Sequence, residues 1–501
     1  MYSPTTEYYI ILKKIKLRVK EFLIPFSLLV YFFIHFATDL FYFLHFKEVI
    51  FSFLKYTLVA FVLFIVGYRL FKNKKRFILF FSTLLFSFLF FGSFLDTASE
   101  LGIPIDNKTP GIFSSFFSLV FTIVIYWVCY KLNNDTIGKL IRFWLIYSAV
   151  LIVYDLVVFV IKEKPEKKYL QASQNKIYVA PSTKSPVFFL LFDMYPSDSV
   201  LKYYLNYDNS SISKFLRTKS FFVTGNSTSL YSETYFSLSS TLNLQPLAYV
   251  SDSSLKDYKK TLLALTNVEN AGLPASFKNA GYTFRNFSVF KIAEQNSPLQ
   301  FNLSYHSNNA LTSSTFYNRF YNSFETDFFQ HNRGIDLSFF KSSWSEDERK
   351  DIAFLKKKFN EVIDSFPEQK PSFNYFHFMI PHPPIIYDSS GRELALKDRY
   401  AFGDFDQSNR NFTNYVRFAN KLIEEMVNDI FKRVGKNVVI IIQGDHGYRE
   451  FKTMFPEKVR LGAMNAVYLP RNNYNGFTDS MNVLQTFKQL LHNEFGFTST
   501  E

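Results

Sequence analysis

Hydrophobic positions divide this chain at about residue 161. Ahead of that point they come in long runs, Phe22–Leu44, Val49–Leu70, Phe77–Leu95, Ile112–Tyr130 and Leu140–Ile161. Roughly 20 residues at a rise of about 1.5 Å cover the hydrocarbon core of a bilayer, so about five membrane-spanning helices are expected. Beyond residue 186 the apolar runs shorten to strand length. Val187-Phe-Phe-Leu-Leu-Phe192 and Val438-Val-Ile-Ile-Ile442 are continuous and bounded by polar residues, the pattern of strands covered on both faces of a parallel sheet. Phe221–Val223 and Phe373–Met379 read as further strands. Tyr415, Phe418, Ala419, Leu422, Ile423, Met426, Val427 and Ile430 keep helical spacing, and Gly435 ends that helix. Other helices are expected near Ser211–Arg217, from Thr234, and from Ser345 to about Phe366, where Ser345-Glu-Asp-Glu348 has capping-box spacing. Strands alternating with helices predict an α/β sandwich around a largely parallel central sheet. Between the two regions, residues 162–186 are polar and punctuated by Pro165, Pro181 and Pro186, the composition of a linker. The expected organisation is thus a transmembrane helical domain at 1–161, a linker at 162–186 and a catalytic domain at 187–501.

Charge orients the helices. Lys13, Lys14, Lys16, Arg18 and Lys20 precede the first run, Arg69, Lys72, Lys74, Lys75 and Arg76 join the second to the third, and Lys131, Lys139 and Arg142 join the fourth to the fifth. Short cytoplasmic loops collect Lys and Arg, which places the N-terminus inside and, after an odd number of spans, the domain beyond residue 161 outside. Lys162, Lys164, Lys167 and Lys168 run against that bias, but they lead into a large domain, where charge has less influence. The expected location is the cytoplasmic (inner) membrane, multi-pass, with the first span serving as an uncleaved signal anchor. Much of the net charge of +13 lies in these loops, so it speaks for a membrane surface and against nucleic acid. The single cysteine, Cys129, falls in the fourth run, which excludes thiolate chemistry and disulfides from the soluble part. His35, Asp39 and Asp155 are ionisable residues within apolar runs, read here as structural.

Candidate chemistry sits at strand ends. The 438–443 run leads through Gly444 into Asp445 and His446, and the 187–192 run leads into Asp193. Ligands in open α/β sheets bind beyond the carboxyl ends of the strands, so two carboxylates and an imidazole released there suggest one metal site built from distant parts of the chain. Thr234, at a helix start, offers a hydroxyl in the positive end of the helix dipole, where it could act on a phosphoryl or sulfuryl group or be an ordinary N-cap.

Phe192-Asp193, Thr234-Tyr-Phe-Ser237, Met379-Ile-Pro-His-Pro-Pro384, Gly444-Asp-His-Gly447 and Met464-Asn-Ala-Val-Tyr-Leu-Pro470, in this order, resemble the sulfatase branch of the alkaline phosphatase superfamily. Nearly the whole chain looks like its membrane-bound phosphoethanolamine transferases and lipoteichoic acid synthases. The resemblance implies Thr234 as nucleophile and Asp193, Thr234, Asp445 and His446 as ligands of a divalent metal, Zn or Mn. It further implies His382 near the transferred group and Ser237, three residues after the nucleophile, at the substrate. His382, together with Arg449 just after Asp-His-Gly, could neutralise the phosphoryl charge or protonate the leaving alkoxide. His377, alternating into the 373–379 strand, is read as structural. The transferases carry a further histidine soon after Asp-His-Gly, and Tyr448–Gly462 has none. The implied function is transfer of a phosphorylated head group from a membrane phospholipid, through a phosphothreonine, to an envelope glycan or lipid. A membrane-anchored sulfuric or phosphoric ester hydrolase is the alternative, and a non-catalytic binding protein of the same fold is a second.

Overall fold

The computed structural model describes residues 4–101, 111–161, 164–172, 184–303, 311–319, 343–366, 371–395, 398–399, 405–451 and 454–496. They form two compact units: one runs through residue 164 and takes back 311–319, and the other holds the rest.

The first unit is helical: α1 (Pro4–Asp39), α2 (Phe46–Leu70), α3 (Lys74–Leu89), α4 (Phe91–Glu100), α5 (Gly111–Lys131) and α6 (Asn134–Ile161). Phenylalanine makes its core. Phe22 and Phe32 on α1, Phe64 on α2, and Phe77 and Phe81 on α3 are buried together, with Phe64 ring centroids 5.3–5.5 Å from those of Phe22, Phe77 and Phe81. The outward faces are also apolar: Leu54 and Leu58 on α2 and Val153, Tyr154 and Val160 on α6 are exposed. Such a surface suits lipid better than water.

Among the described residues, three helices are long and apolar enough to cross a membrane, at Phe22–Asp39, Phe46–Leu70 and Asn134–Ile161, and a fourth is reached by joining α3 to α4. Hydropathy predicts roughly five spans, and the third and fourth of them take a particular form in the structure. The third run is bent by 59° between α3 and α4, and within α5 the segment Leu119–Lys131 is an apolar helix. The bend is matched by polar contacts that hydropathy does not see. Ser314 Oγ donates to Leu89 O at 3.0 Å, and Gly92 N donates to Ser314 O at 2.6 Å. A Cβ on Gly92 would lie 2.8 Å from Ser314 Cα, so only glycine admits this approach. His35 and Asp155 pair inside the unit, Nδ1 to Oδ2 at 3.0 Å, and Lys164 Nζ donates to the Thr38 and Asp39 carbonyls. These contacts give the buried Asp155 carboxylate and the Lys164 ammonium structural partners.

The second unit is a six-stranded sheet with helices on both sides. Its strands are β1 (Val187–Phe192), β2 (Phe222–Val223), β3 (Thr283–Phe287), β4 (Ser372–Phe378), β5 (Val439–Gly444) and β6 (Asn465–Tyr468), in the order β2-β6-β5-β1-β4-β3. The pairs β3–β4, β4–β1 and β1–β5 are parallel, and β5–β6 and β6–β2 are antiparallel. The sheet is therefore mostly parallel with an antiparallel edge. Every residue of β1, β4 and β5 is buried, as strands covered on both faces of a parallel sheet require, including the polar Ser372, Asn374 and His377 of β4. Around it lie α7 (Glu166–Ala172), α8 (Asp198–Tyr204), α9 (Ser210–Thr218), α10 (Thr234–Leu242), α11 (Asp257–Glu269), α12 (Gly272–Asn279), α13 (Ser343–Asp364), α14 (Phe405–Arg433), α15 (Glu457–Leu461) and α16 (Val483–Phe495).

Two local expectations change. The stretch read as a linker contains α7, tied to its unit by Tyr169 Oη donating to Asp252 Oδ2 at 2.6 Å and by Glu166 pairing with Lys259 at 3.3 Å. The capping box at Ser345–Glu348 does not form. Helix α13 already begins at Ser343, Ser345 Oγ accepts from Arg399 Nη1 at 3.0 Å, and Glu348 is turned into the core.

Candidate metal centre and nucleophile

Strand register creates the site. In the parallel pairing of β1 with β5, Phe192 lies opposite Gly444, so the next residues, Asp193 and Asp445, leave neighbouring strands side by side. Glycine permits this closeness. A Cβ on Gly444 would stand 2.3 Å from Tyr195 O, and one on Gly447 2.2 Å from Val459 O. Both motif glycines thus serve backbone packing, Gly444 against the loop after β1 and Gly447 against the 459–462 backbone, which fixes the Asp445-His446 turn between them.

Ligand atoms of Asp193, Asp445 and His446 lie within 4.8 Å of one another, and all three residues are buried. Met194 N donates to Asp445 Oδ1 at 2.9 Å, which leaves Asp445 Oδ2 without a hydrogen-bond partner; Asp193 Oδ1 likewise has none. His446 Nδ1 lies 2.8 Å from Gly447 O. A carbonyl only accepts, so Nδ1 carries the proton and the Nε2 lone pair faces inward. That lone pair is 3.4 Å from Asp445 Oδ2 and 3.7 Å from Asp193 Oδ1. Two adjacent buried carboxylates with orphaned oxygens and an aimed imidazole nitrogen are unfavourable by themselves and fit a divalent cation.

The electrostatics agree with that crowding. Burial and the neighbouring Asp193 carboxylate push Asp445 above the usual carboxylate range. Burial acts the same way on Asp193, but His382, His377 and His446 hold it well below that range. His377, on β4, places Nε2 3.3 Å from Asp193 Oδ2.

Thr234 joins this group. Glu233 is the N-cap of α10 and Thr234 the first helical residue, so Thr234 is not the cap that its position also allowed. Its Oγ1 donates to Asp193 Oδ2 at 3.3 Å and lies 3.4 Å from His446 Nε2. Ser237, one turn on, does something else. It is buried, donates to Asp445 O at 2.6 Å and lies 2.8 Å from Ser229 Oγ, so its hydroxyl is occupied in holding the Asp445 backbone.

His382 and Arg449 meet beside these residues. Arg449 Nη2 donates to His382 Nε2 at 2.8 Å and Nη1 to Glu233 Oε2 at 3.0 Å. His382 Nδ1 faces Pro383 O, so the ring is the Nδ1–H tautomer. Burial, then Arg449 and His446, draw its pKa down to about 4 against the pull of Asp193. Glu233 was not singled out from the sequence, although its place next to Thr234 was the available signal. Glu348, whose spacing from Ser345 fits a capping box, lies elsewhere. It is fully buried, neither carboxylate oxygen has a partner among the described residues, and burial with the nearby Asp193 charge raises its pKa well above normal.

The sulfatase family profile matches residues 203–482, more than half of the 501-residue chain. No curated protein sequence matches. Similar solved structures include the integral membrane lipooligosaccharide phosphoethanolamine transferase A of Neisseria meningitidis, 13% identical over 95% of this chain and 94% of that one, TM-score 0.36. The C-terminal periplasmic domain of EptC from Escherichia coli in complex with Zn is 11% identical over 64% and 87%, TM-score 0.38. The lipoteichoic acid synthase LtaP of Listeria monocytogenes is 13% identical over 67% and 79%, TM-score 0.34. With identities this low and TM-scores below 0.5, assignment to a family rests on the profile match.

Proposed function

The chain belongs to the sulfatase family, and from that premise we propose that it is a metal-dependent phosphotransferase anchored in the cytoplasmic membrane. In this reading residues 1–161 span the membrane, 187–501 form the catalytic domain outside it, and the basic loops at 69–76 and 131–142 face the cytoplasm. A phospholipid donates a phosphorylated head group, and an envelope glycan or lipid accepts it. One observation carries the reading. The Thr234 hydroxyl, at the first residue of a helix, faces Asp193 and His446 beside two orphaned carboxylate oxygens.

Asp193, Asp445, His446 and Thr234 Oγ1 would hold the cation, a mainly oxygen set with one nitrogen that suits Zn²⁺ or Mn²⁺. When bound, such an ion lowers the pKa of a coordinated hydroxyl and screens an anionic phosphoryl group. The chain's own groups do the rest. Thr234 Oγ1 gives up its proton and attacks phosphorus; the bond from phosphorus to the diacylglycerol oxygen breaks, and that oxygen leaves as a hydroxyl. An acceptor hydroxyl then attacks the phosphothreonine and restores Thr234. Arg449, fixed between Glu233 and His382, supplies a guanidinium for the equatorial phosphoryl oxygens. Ser237 acts through the Asp445 backbone rather than on substrate.

The test offers the purified full chain, with Zn²⁺ or Mn²⁺, fluorescent phospholipids with and without glycan acceptors, while intact-mass analysis follows Thr234. A head-group adduct that Thr234→Val abolishes, together with labelled acceptor, supports transfer. Release to water with or without acceptor makes the protein a hydrolase, and absence of adduct, product and bound metal makes it a binding protein.

A further inference from the structure

The helical unit holds a cavity of about 520 Å³ where the α2–α3 turn meets the end of α5, lined by Lys72, Asn73, Arg76, Phe80, Tyr126 and Tyr130 among others. Its polar wall is cationic. Arg76 Nη2 donates to Leu132 O at 3.2 Å, and its guanidinium lies 5.3 Å from the centre of the Tyr130 ring. Arg76 Nε is buried without a hydrogen-bond partner. Lys72 is exposed at the rim, and among the described residues no carboxylate pairs with Lys72 or Arg76. Asn73 is already engaged, its Oδ1 accepting from Arg76 N at 3.1 Å and its Nδ2 donating to Asn134 Oδ1 at 3.2 Å. A buried N–H left unmade costs free energy, and two cations facing one cavity without an anion repel each other. Both deficits are relieved by a single anionic group with several acceptor oxygens.

We propose that this cavity binds the phosphate of an anionic phospholipid. Phosphate offers oxygens to a guanidinium fork and an ammonium at once. The other wall is apolar and aromatic, with Phe80 and Tyr126 rings 5.8 Å apart, and Leu70 beside it is exposed. That surface suits acyl chains rather than a free ion. Tyrosines and basic residues together at the end of apolar helices match head-group depth, and basic pockets between such helices on the cytoplasmic side take anionic head groups. The inference rests on the helical unit lying in a membrane and is independent of the chemistry proposed at Thr234.

Native mass spectrometry of the full chain in detergent tests it, by titration with phosphatidylglycerol, phosphatidylcholine or glycerol 1-phosphate. Phosphatidylglycerol should bind saturably, and the other two at least about tenfold more weakly. Lys72→Gln and Arg76→Gln should each weaken phosphatidylglycerol by about tenfold or more, since hydrogen bonds to charged groups are the stronger kind. Arg142→Gln, a change outside the cavity wall, should leave binding and transfer activity unchanged. Should Arg76→Gln misfold, Lys72→Glu replaces it, because that side chain is exposed. The proposal is overturned by equal binding of phosphatidylcholine, by glycerol 1-phosphate binding as tightly as the lipid, by wild-type affinity in the Lys72 variants, or by an equal loss in Arg142→Gln.

Discussion

Replacing Ser237 with alanine separates a residue that holds the metal centre from one that touches substrate. The Ser237 hydroxyl is buried, donates to Asp445 O at 2.6 Å and lies 2.8 Å from Ser229 Oγ. Alanine removes the donor and leaves a buried carbonyl unsatisfied, which costs about 1–3 kcal/mol. Ser229 keeps a second contact, accepting from Tyr231 N at 3.3 Å, so little is added from that side. A loss of about 2 kcal/mol lowers Tm by roughly 3 °C in a domain of about 315 residues, whose unfolding entropy is about 2.1 cal/mol/K per residue. The Asp445 carboxylate is still anchored by Met194 N at 2.9 Å. Metal affinity should therefore fall by about tenfold, the smaller end of what loss of a supporting contact does. Competition with a chelating dye reads the affinity, and a melting curve with saturating Zn²⁺ reads the stability. At saturating metal the KM for the lipid should stay within about twofold, since no contact to substrate has been removed. An unchanged metal affinity with a raised KM would refute this reasoning and make Ser237 a substrate ligand.

Stripping metal with a chelator should lower the melting temperature of the sulfatase-like unit, because an ion at about 1,000 times its Kd adds roughly 4 kcal/mol to the folded state; an identical curve with and without chelator would contradict a metal held by Asp193, Asp445 and His446. Glu233→Gln should reduce kcat/KM by about tenfold with metal affinity intact, since it removes one of the two anchors of Arg449, leaving His382, without touching a metal ligand; metal titration alongside kinetics reads both. Gly447→Ala should cost roughly 3 kcal/mol or more, because the new Cβ meets the backbone carbonyls of Val459 and Gly462 at 2.2 and 2.4 Å, and thermal melts with circular dichroism measure it.

Elements made of one uninterrupted pattern were legible in the chain itself. Continuous apolar runs gave β1 and β5, and the aromatic-rich 373–379 stretch gave β4, each to within a residue or so, and helical spacing gave the central part of α14. Period-based reading failed where distant contacts override local pattern. Helix α3 ends at Leu89 because Ser314, more than 200 positions away, takes the carbonyl released there. Ser345 and Glu348 keep capping-box spacing yet serve the interior. Strand β3, with its alternating burial Thr283–Phe287, was not picked out, since an edge strand only half covered carries a weaker apolar signal.

By itself the sequence determined the chemical inventory: carboxylates and an imidazole at the ends of apolar strands, a hydroxyl at a helix start, and no thiol beyond Cys129. Which of these groups meet was decided only by the tertiary structure. The parallel register of β1 and β5 sets Asp193 beside Asp445, and the N-cap at Glu233 turns the Thr234 hydroxyl toward both Asp193 and His446. Convergence of this kind depends on pairing between strands some 250 positions apart, and nothing local in the chain encodes that distance.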